Sequence, residues 1–231
     1  MTYLNANLHS IREFLMTSSI KNSPERFKFL ERSIEKIRKH RKVLDSEFDY
    51  SLFPNDNPII SSKHWSPIPV IQKSIQMLKP DESSTILDVG SGCGKFCLVG
   101  SLLSPAKFTG VELRESLYRI SIDILENFSF PRVRFLNINM IDLDWSEFNM
   151  IYLFNPFYEN IYEFFRIDEN LDFGPNQYAK YTATVSAKLR LVTSGTKVLT
   201  YHGFGGDFPN DFYCIDSFKI GKGELDLWIK E

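Results

Sequence analysis

Three glycines at alternate positions, Gly90, Gly92 and Gly94, end an apolar run that begins at Thr85, and an apolar segment from Lys95 to Leu103 follows at once. Glycine has no Cβ, so this spacing permits a sharp turn and close approach of a ligand to the backbone. A helix opening directly beyond it offers unpaired N–H groups. Residues of this kind in this order suit a nucleotide-like cofactor. Two common versions of such a loop fail on counting. The dinucleotide fingerprint G-x-G-x-x-G, started at Gly90 and Gly92, needs glycine where Lys95 stands. The phosphate-binding G-x-x-x-x-G-K-[ST], ended at Gly94-Lys95, meets Val89 and Phe96 at two required positions. What remains is Asp88-x-Gly90-x-Gly92-x-Gly94 after one strand, then a second strand, Lys107 to Val111, that stops at Glu112. Glu112 lies 24 residues beyond Asp88, near the spacing of about 20 at which an acid ending the second strand reaches a ribose. Its two acceptor oxygens can meet two neighbouring hydroxyl donors at once.

Taken together, Asp88 to Gly94 and Gly110-Val111-Glu112 resemble the first and second motifs of class I (Rossmann-like) S-adenosylmethionine-dependent methyltransferases. The resemblance implies S-adenosyl-L-methionine as cofactor. Its methionine part would lie along Asp88, Gly90, Ser91, Gly92 and Gly94, and its ribose would be taken by Glu112 with Leu113 alongside. Asn139 and Met140 fall where the family holds adenine: an amide accepts from the exocyclic amine, and a thioether packs on an aromatic face. Asn139 replaces the more usual Asp, and Asn also favours turns in its own right. Further on, Asn155-Pro156-Phe157-Tyr158 resembles the [DN]-P-P-[YF] motif of methyltransferases acting on amino groups, departing from it at Phe157. An Asn-Pro-Phe fourth motif is also similar to uncharacterised bacterial members. By this resemblance Asn155, the Pro156 carbonyl and Tyr158 would address the acceptor, with Asn155 bordering the cofactor as well. Glu159 and His202 are further candidates for orienting or deprotonating an ammonium. The other reading of Pro156 is that it simply ends the strand.

The elements that must position these residues follow a βα alternation. Strands are expected at Lys107–Val111, Val133–Leu136, through Phe154, and at Lys197–His202, with helices at Val70–Leu78, Lys95–Leu103, Glu115–Asn127 and about Asn176–Val192. Phe212–Ile215 and Leu225–Ile229, around Gly221-Lys222-Gly223, read as a closing antiparallel hairpin. The fold class is therefore α/β, a doubly wound, mostly parallel seven-stranded sheet with a C-terminal antiparallel hairpin, preceded by an N-terminal helical extension. Residues 1–66 form the extension and connector, and 67–231 the methyltransferase-like domain. In the extension, Leu8, Ile11, Phe14 and Leu15 keep helix spacing. Ser23-Pro24 opens a second helix reaching about Val43, with Phe27, Leu30, Ile34 and Ile37 as its stripe and Arg26, Lys28, Arg32 and other cations on its remaining faces. That basic face reads either as solvated or as a partner contact. From Asp45 to Pro69 the chain reads as a connector, in which Trp65 is either part of a cofactor lid or a core anchor. Residues 159–175, with Tyr162, Phe164, Phe165 and Phe173 among Glu163, Asp168, Glu169 and Asp172, read as a substrate-selecting wall or as a helical hairpin.

Composition narrows the partners. The chain has 231 residues, 43% hydrophobic and 24% charged, with a net charge of −2, enough for one sizeable core and poor for holding nucleic acid by global charge. A protein or small molecule is the favoured methyl acceptor, with nucleic acid left open. No apolar run approaches the roughly 20 residues needed to span a bilayer, so no membrane insertion is expected, and the protein is read as cytoplasmic. Cys93, Cys97 and Cys214 show no pairing pattern, Cys97 and Cys214 being expected in the core. The four histidines are scattered, and no metal is expected. Two other classes stay open: a noncatalytic cofactor-binding module working through the basic N-terminal helix, and a Rossmann-type nucleotide-dependent enzyme. The acceptor and oligomeric state are not specified by the sequence.

Overall fold

The computed structural model describes residues 19–52, 64–168 and 170–231. The helix expected around Leu8 to Leu15, the middle of the connector, Glu169 and the side chain of Phe165 lie outside the described residues.

Seven strands form one sheet: β1 (Thr85–Val89), β2 (Lys107–Val111), β3 (Val133–Leu136), β4 (Met150–Phe154), β5 (Lys197–Tyr201), β6 (Phe212–Ile220) and β7 (Gly223–Lys230). Their order is β3-β2-β1-β4-β5-β7-β6. The first five are parallel, and β7 enters antiparallel between β5 and β6. The order reverses between β1 and β4, so the ends of these two strands form the crevice where open α/β sheets bind ligands.

The central strands are buried on both faces, as parallel strands between helices must be. Side chains alternate: Ile86 and Tyr152 look to one apolar cluster, Leu87, Ile151 and Leu153 to the other. The first cluster is covered by α1 (Pro24–Arg38), α2 (Asp45–Leu52), α3 (Ile68–Leu78), α4 (Lys95–Leu103) and α5 (Glu115–Asn127). The second lies under α6 (Pro175–Leu191), with Trp145 and Phe148 from the loop after β3.

Three expectations about the extension need correcting. α1 stops at Arg38, not near Val43, because beyond Ile37 no apolar residue falls at the next turn and His40 takes a left-handed φ of +52°. Asp45 to Leu52 is a helix rather than connector, since Phe48 and Leu52 are one turn apart and both fully buried. Arg26 is also not on a solvated face. It is 5% exposed, and its guanidinium donates to the carbonyls of Ser51 and Leu52 at the C-terminus of α2. Cys214, expected in the core, is exposed on edge strand β6. No helix among the described residues is long and apolar enough to cross a membrane.

Cations from distant sequence close the C-terminal ends of α3, α4 and α6. Lys197 Nζ donates to Leu78 O of α3 (2.9 Å), Arg132 to Ser101 O and Ser104 O of α4 (3.1 and 3.3 Å), and Lys230 Nζ to Leu189, Arg190 and Val192 O of α6 (2.7–3.1 Å). Each satisfies orphan carbonyls and meets the negative end of a helix macrodipole.

Gly94 tests the fit of α4 against the sheet. It has φ +85°, and a Cβ there would overlap the Phe135 ring of β3. Gly94→Ala is therefore expected to lower unfolding free energy by about 2 kcal/mol or more, checked by denaturant titration against wild type.

Candidate functional site

The carboxyl ends of β1, β2 and β4 bring the residues singled out in the sequence to one edge of the sheet. The turn after β1 is tied to β2 at its start, where Gly90 N–H and Ser91 N–H both donate to Val111 O (2.9 and 3.0 Å). It is tied again through Glu112. Gly92 N–H donates to Glu112 Oε2 at 2.9 Å, and Arg114 N–H donates to Oε1 at 2.7 Å. The Asn137 amide braces the same strand end by donating to Glu112 O and Leu113 O. Glu112 is 6% exposed and turned toward the glycine turn. Burial raises its pKa, opposed by the Arg114 charge and by the backbone N–H bonds. Leu113, next to it, is exposed.

Asp88 sits at the end of β1 on the α4 side, where Cys97 Sγ donates to its Oδ2 at 3.6 Å. Burial pushes the Asp88 carboxyl up to about 7; the Cys97 hydrogen bond opposes this and the Glu112 charge adds to it. Cys93 and Cys97 are buried, and their thiols are pushed up by desolvation, which makes both poor thiolates.

β4 delivers the next group. Asn155 follows it directly with φ +36°, a left-handed conformation that costs a non-glycine residue energy. Its N–H donates to Gly203 O at 3.1 Å. Pro156 lies over the first turn residue, its Cβ 3.4 Å from where a Gly90 Cβ would be. Asn155 and Pro156 are thus next to the glycine turn, while Phe157 is buried and stacked on Tyr181 of α6 (5.1 Å). Tyr158 stacks on Tyr162 at 4.4 Å.

The remaining candidates have settled partners. Asn139 accepts from Ile141 N–H (3.1 Å) and donates to Tyr181 Oη (3.3 Å), and Met140 is buried in the α6-side cluster. His202, at φ +62°, lies against the β6–β7 turn, where a Gly223 Cβ would overlap its ring. Glu159 is held by Arg114 Nη2 (2.6 Å) and by Ile167 N–H (2.9 Å), with His64 Nδ1 at 3.7 Å. Desolvation raises the Glu159 pKa, and the Arg114 charge opposes that rise. Arg114 also reaches Asp168 at 3.4 Å. These bonds shape the segment after β4 into two short 3₁₀ turns, Tyr158–Asn160 and Glu163–Phe165, rather than a helical hairpin.

Two contributors, Arg114 and Lys95, were not assigned to the site from sequence, and Trp65 was left between lid and core anchor. Arg114 is signalled only by lying two residues past Glu112. Trp65 is 5% exposed, so it is a core residue, yet its Nε1 is 3.4 Å from where a Gly92 Cβ would be, so it also covers the turn. Lys95 is buried and paired with Asp45 and Asp49. Among the described residues no cluster of three or more His, Cys, Asp or Glu side chains is placed to hold a metal ion.

Strand order, the antiparallel β7 insertion and the turn after β1 define the class I, Rossmann-like fold of S-adenosylmethionine-dependent methyltransferases. Among similar solved structures is an RNA methyltransferase from Salinibacter ruber in complex with S-adenosyl-L-homocysteine, at 17% identity and TM-score 0.53, covering 72% of this chain and 93% of that one. TrmN from Thermus thermophilus is similar at 14% identity and TM-score 0.56, over 75% of this chain and 52% of its own. A mutant of MtNAS aligns over 100% of this chain and 78% of its own, at 11% identity and TM-score 0.53. No protein-family profile and no curated protein matches the sequence.

The Asp88 carboxyl gives the site a pH signature. Its folded pKa of about 7 exceeds the ordinary aspartate value of 3.8, so the folded state binds more protons between those values and stability falls as pH rises through that window. Asp88→Asn removes this contribution. From pH 4.5 to 7.5, stability of the variant relative to wild type is expected to rise by roughly 3 kcal/mol, read from urea unfolding of both proteins at the two pH values.

Proposed function

We propose that this protein is an S-adenosyl-L-methionine-dependent methyltransferase whose acceptor presents an amino group on a protein or small molecule. The observation that carries the reading is the buried Glu112 carboxylate bonded to Gly92 N–H, with Asn155-Pro156 set over the same turn. The residues present fit the cofactor. The glycine turn carries no side chain at Gly90, Gly92 or Gly94, and Trp65 and Pro156 lie against it, each 3.4 Å from where a Cβ at Gly92 or Gly90 would be. Each Glu112 oxygen accepts one backbone bond and keeps a lone pair for a ribose hydroxyl. Asp88, Gly90, Ser91 and Gly94 would complete the methionine side, and Leu113, Asn139 and Met140 the adenine side.

When bound, the cofactor supplies an electrophilic sulfonium methyl. The chain's own work is alignment and exclusion of water. Asn155 and the Pro156 carbonyl offer acceptors for the amine N–H, and the strained backbone at Asn155 fixes where they stand. An ammonium must lose its proton before attack. Glu159, held by Arg114 and Ile167, is a wall residue before it is a base, and His202 is packed away against the hairpin. Tyr158 belongs to the rim, stacked with Tyr162. Beyond it Tyr162 and Phe164 are exposed beside Glu163. The rim is aromatic, with its carboxylates paired to Arg114 and Arg166, and on a chain of net charge −2 this reading favours a cationic or neutral acceptor over a polyanion. Residues 67–231 would form the catalytic body and 1–66 its extension.

Glu112→Ala is expected to weaken S-adenosyl-L-homocysteine binding by a factor of about 10 to 100, from the loss of charge-assisted hydrogen bonds. Asn155→Ala is expected to leave that affinity within a factor of about 3 while lowering turnover at least about 100-fold. Calorimetry and labelled-methyl transfer to fractionated cell extract measure the two effects. A wild-type chain that binds NAD and ignores S-adenosyl-L-homocysteine would overturn the reading.

A further inference from the structure

Lys95 is the first residue of α4, directly after Gly94, and its side chain is 3% exposed. A cation there meets the positive end of the helix macrodipole, and a buried charge is costly unless paired. Two carboxylates from α2 supply the pairing: Asp45 Oδ1 lies 2.7 Å and Asp49 Oδ1 2.6 Å from Lys95 Nζ. Spaced four residues apart, they share one face of α2. Asp45 Oδ1 also accepts the N–H of Ile68 at the start of α3 (2.7 Å). One carboxylate oxygen therefore joins the beginnings of α3 and α4.

The segment leading into that junction covers the glycine turn. Trp65 lies against Gly92, and Ser66 Oγ and Tyr152 Oη are hydrogen-bonded at 2.8 Å. The Tyr152 ring in turn stacks on Phe96 of α4 at 3.8 Å. Behind α2, Arg26 of α1 holds the helix by its C-terminal carbonyls. The ties run unbroken from α1 to the turn.

We propose that Lys95 is a positioning residue, locking α2 and the Trp65 segment onto the glycine turn so that the N-terminal extension completes the cofactor site. The inference rests on the cofactor reading above and adds that the site does not end with the sheet. Its packing role alone would be served by an apolar side chain. What the ion triad adds is a fixed register between three helix starts and the turn, since charged partners at 2.6–2.7 Å tolerate little displacement.

The test uses the full chain and S-adenosyl-L-homocysteine as probe. Lys95→Met/Asp49→Leu removes the buried pair and leaves Asp45, the more exposed carboxylate, to hold Ile68. The double variant is expected to keep a cooperative thermal transition and to bind the probe at least 10-fold more weakly, and Lys95→Arg is expected to recover most of the affinity. In wild type, the probe is expected to slow hydrogen exchange across residues 45–52 together with 90–95, a readout that does not depend on the variant folding. Wild-type affinity in a folded double variant, or unchanged exchange across 45–52 on binding, overturns the inference and leaves the cofactor reading intact. A wild-type chain that does not bind the probe overturns both.

Discussion

The hydrogen bond from Gly92 N–H to the Glu112 carboxylate organises the ligand edge of this molecule. It joins the turn after β1 to the end of β2, and it does so inside the protein, where an unpaired carboxylate or N–H would be expensive. The turn's first two N–H groups are used by Val111 and its last by Ser91 O, so Glu112 supplies the bond that the middle needs. Gly92, which bonds Glu112, is also the position that Trp65 lies against, and Pro156 lies against Gly90 two residues before it.

Charge is distributed around that bond in two layers. Arg114 offsets Glu112 from one side and ties Glu159 and Asp168 from the other, so the segment after β4 folds toward β2 although it leaves from a different strand. Lys95 does the same for the N-terminal helices. In both cases a buried or largely buried cation lies between two acids that come from a distant stretch of sequence. Such clusters contribute little net stability compared with apolar packing, but they define which surfaces meet.

The sheet and its connecting helices were legible because their signals are local. Lys95–Leu103, Lys107–Val111 and Glu115–Asn127 follow from apolar periodicity bounded by glycine, proline and charge, and each appears with the expected limits. The β6–β7 hairpin was visible from Gly221 and Gly223, but not that β7 would insert beside β5. The site was readable where motif and backbone coincide, at Asp88 to Gly94 and at Glu112. Arg114, Lys95 and Asp49 were hidden because their meaning lies in partners 45 or more residues away, which no periodicity reveals. Asp45–Leu52 was missed because a short helix with only Phe48 and Leu52 to bury gives a weak signal, and Arg26 because a buried arginine on a basic helix looks like its solvated neighbours.

The cations that close the C-termini of α3, α4 and α6 come from the start of β5, from just before β3 and from the end of β7. All three points lie at the edge of the sheet opposite the glycine turn. Fastened at that far margin, the C-terminal ends of these three helices hold their places independently of the bonds made on the crevice side. The connections there are consequently at liberty to diverge in length and chemistry, so that a change of acceptor in evolution or by engineering can be tried at the mouth without loosening the frame beneath it.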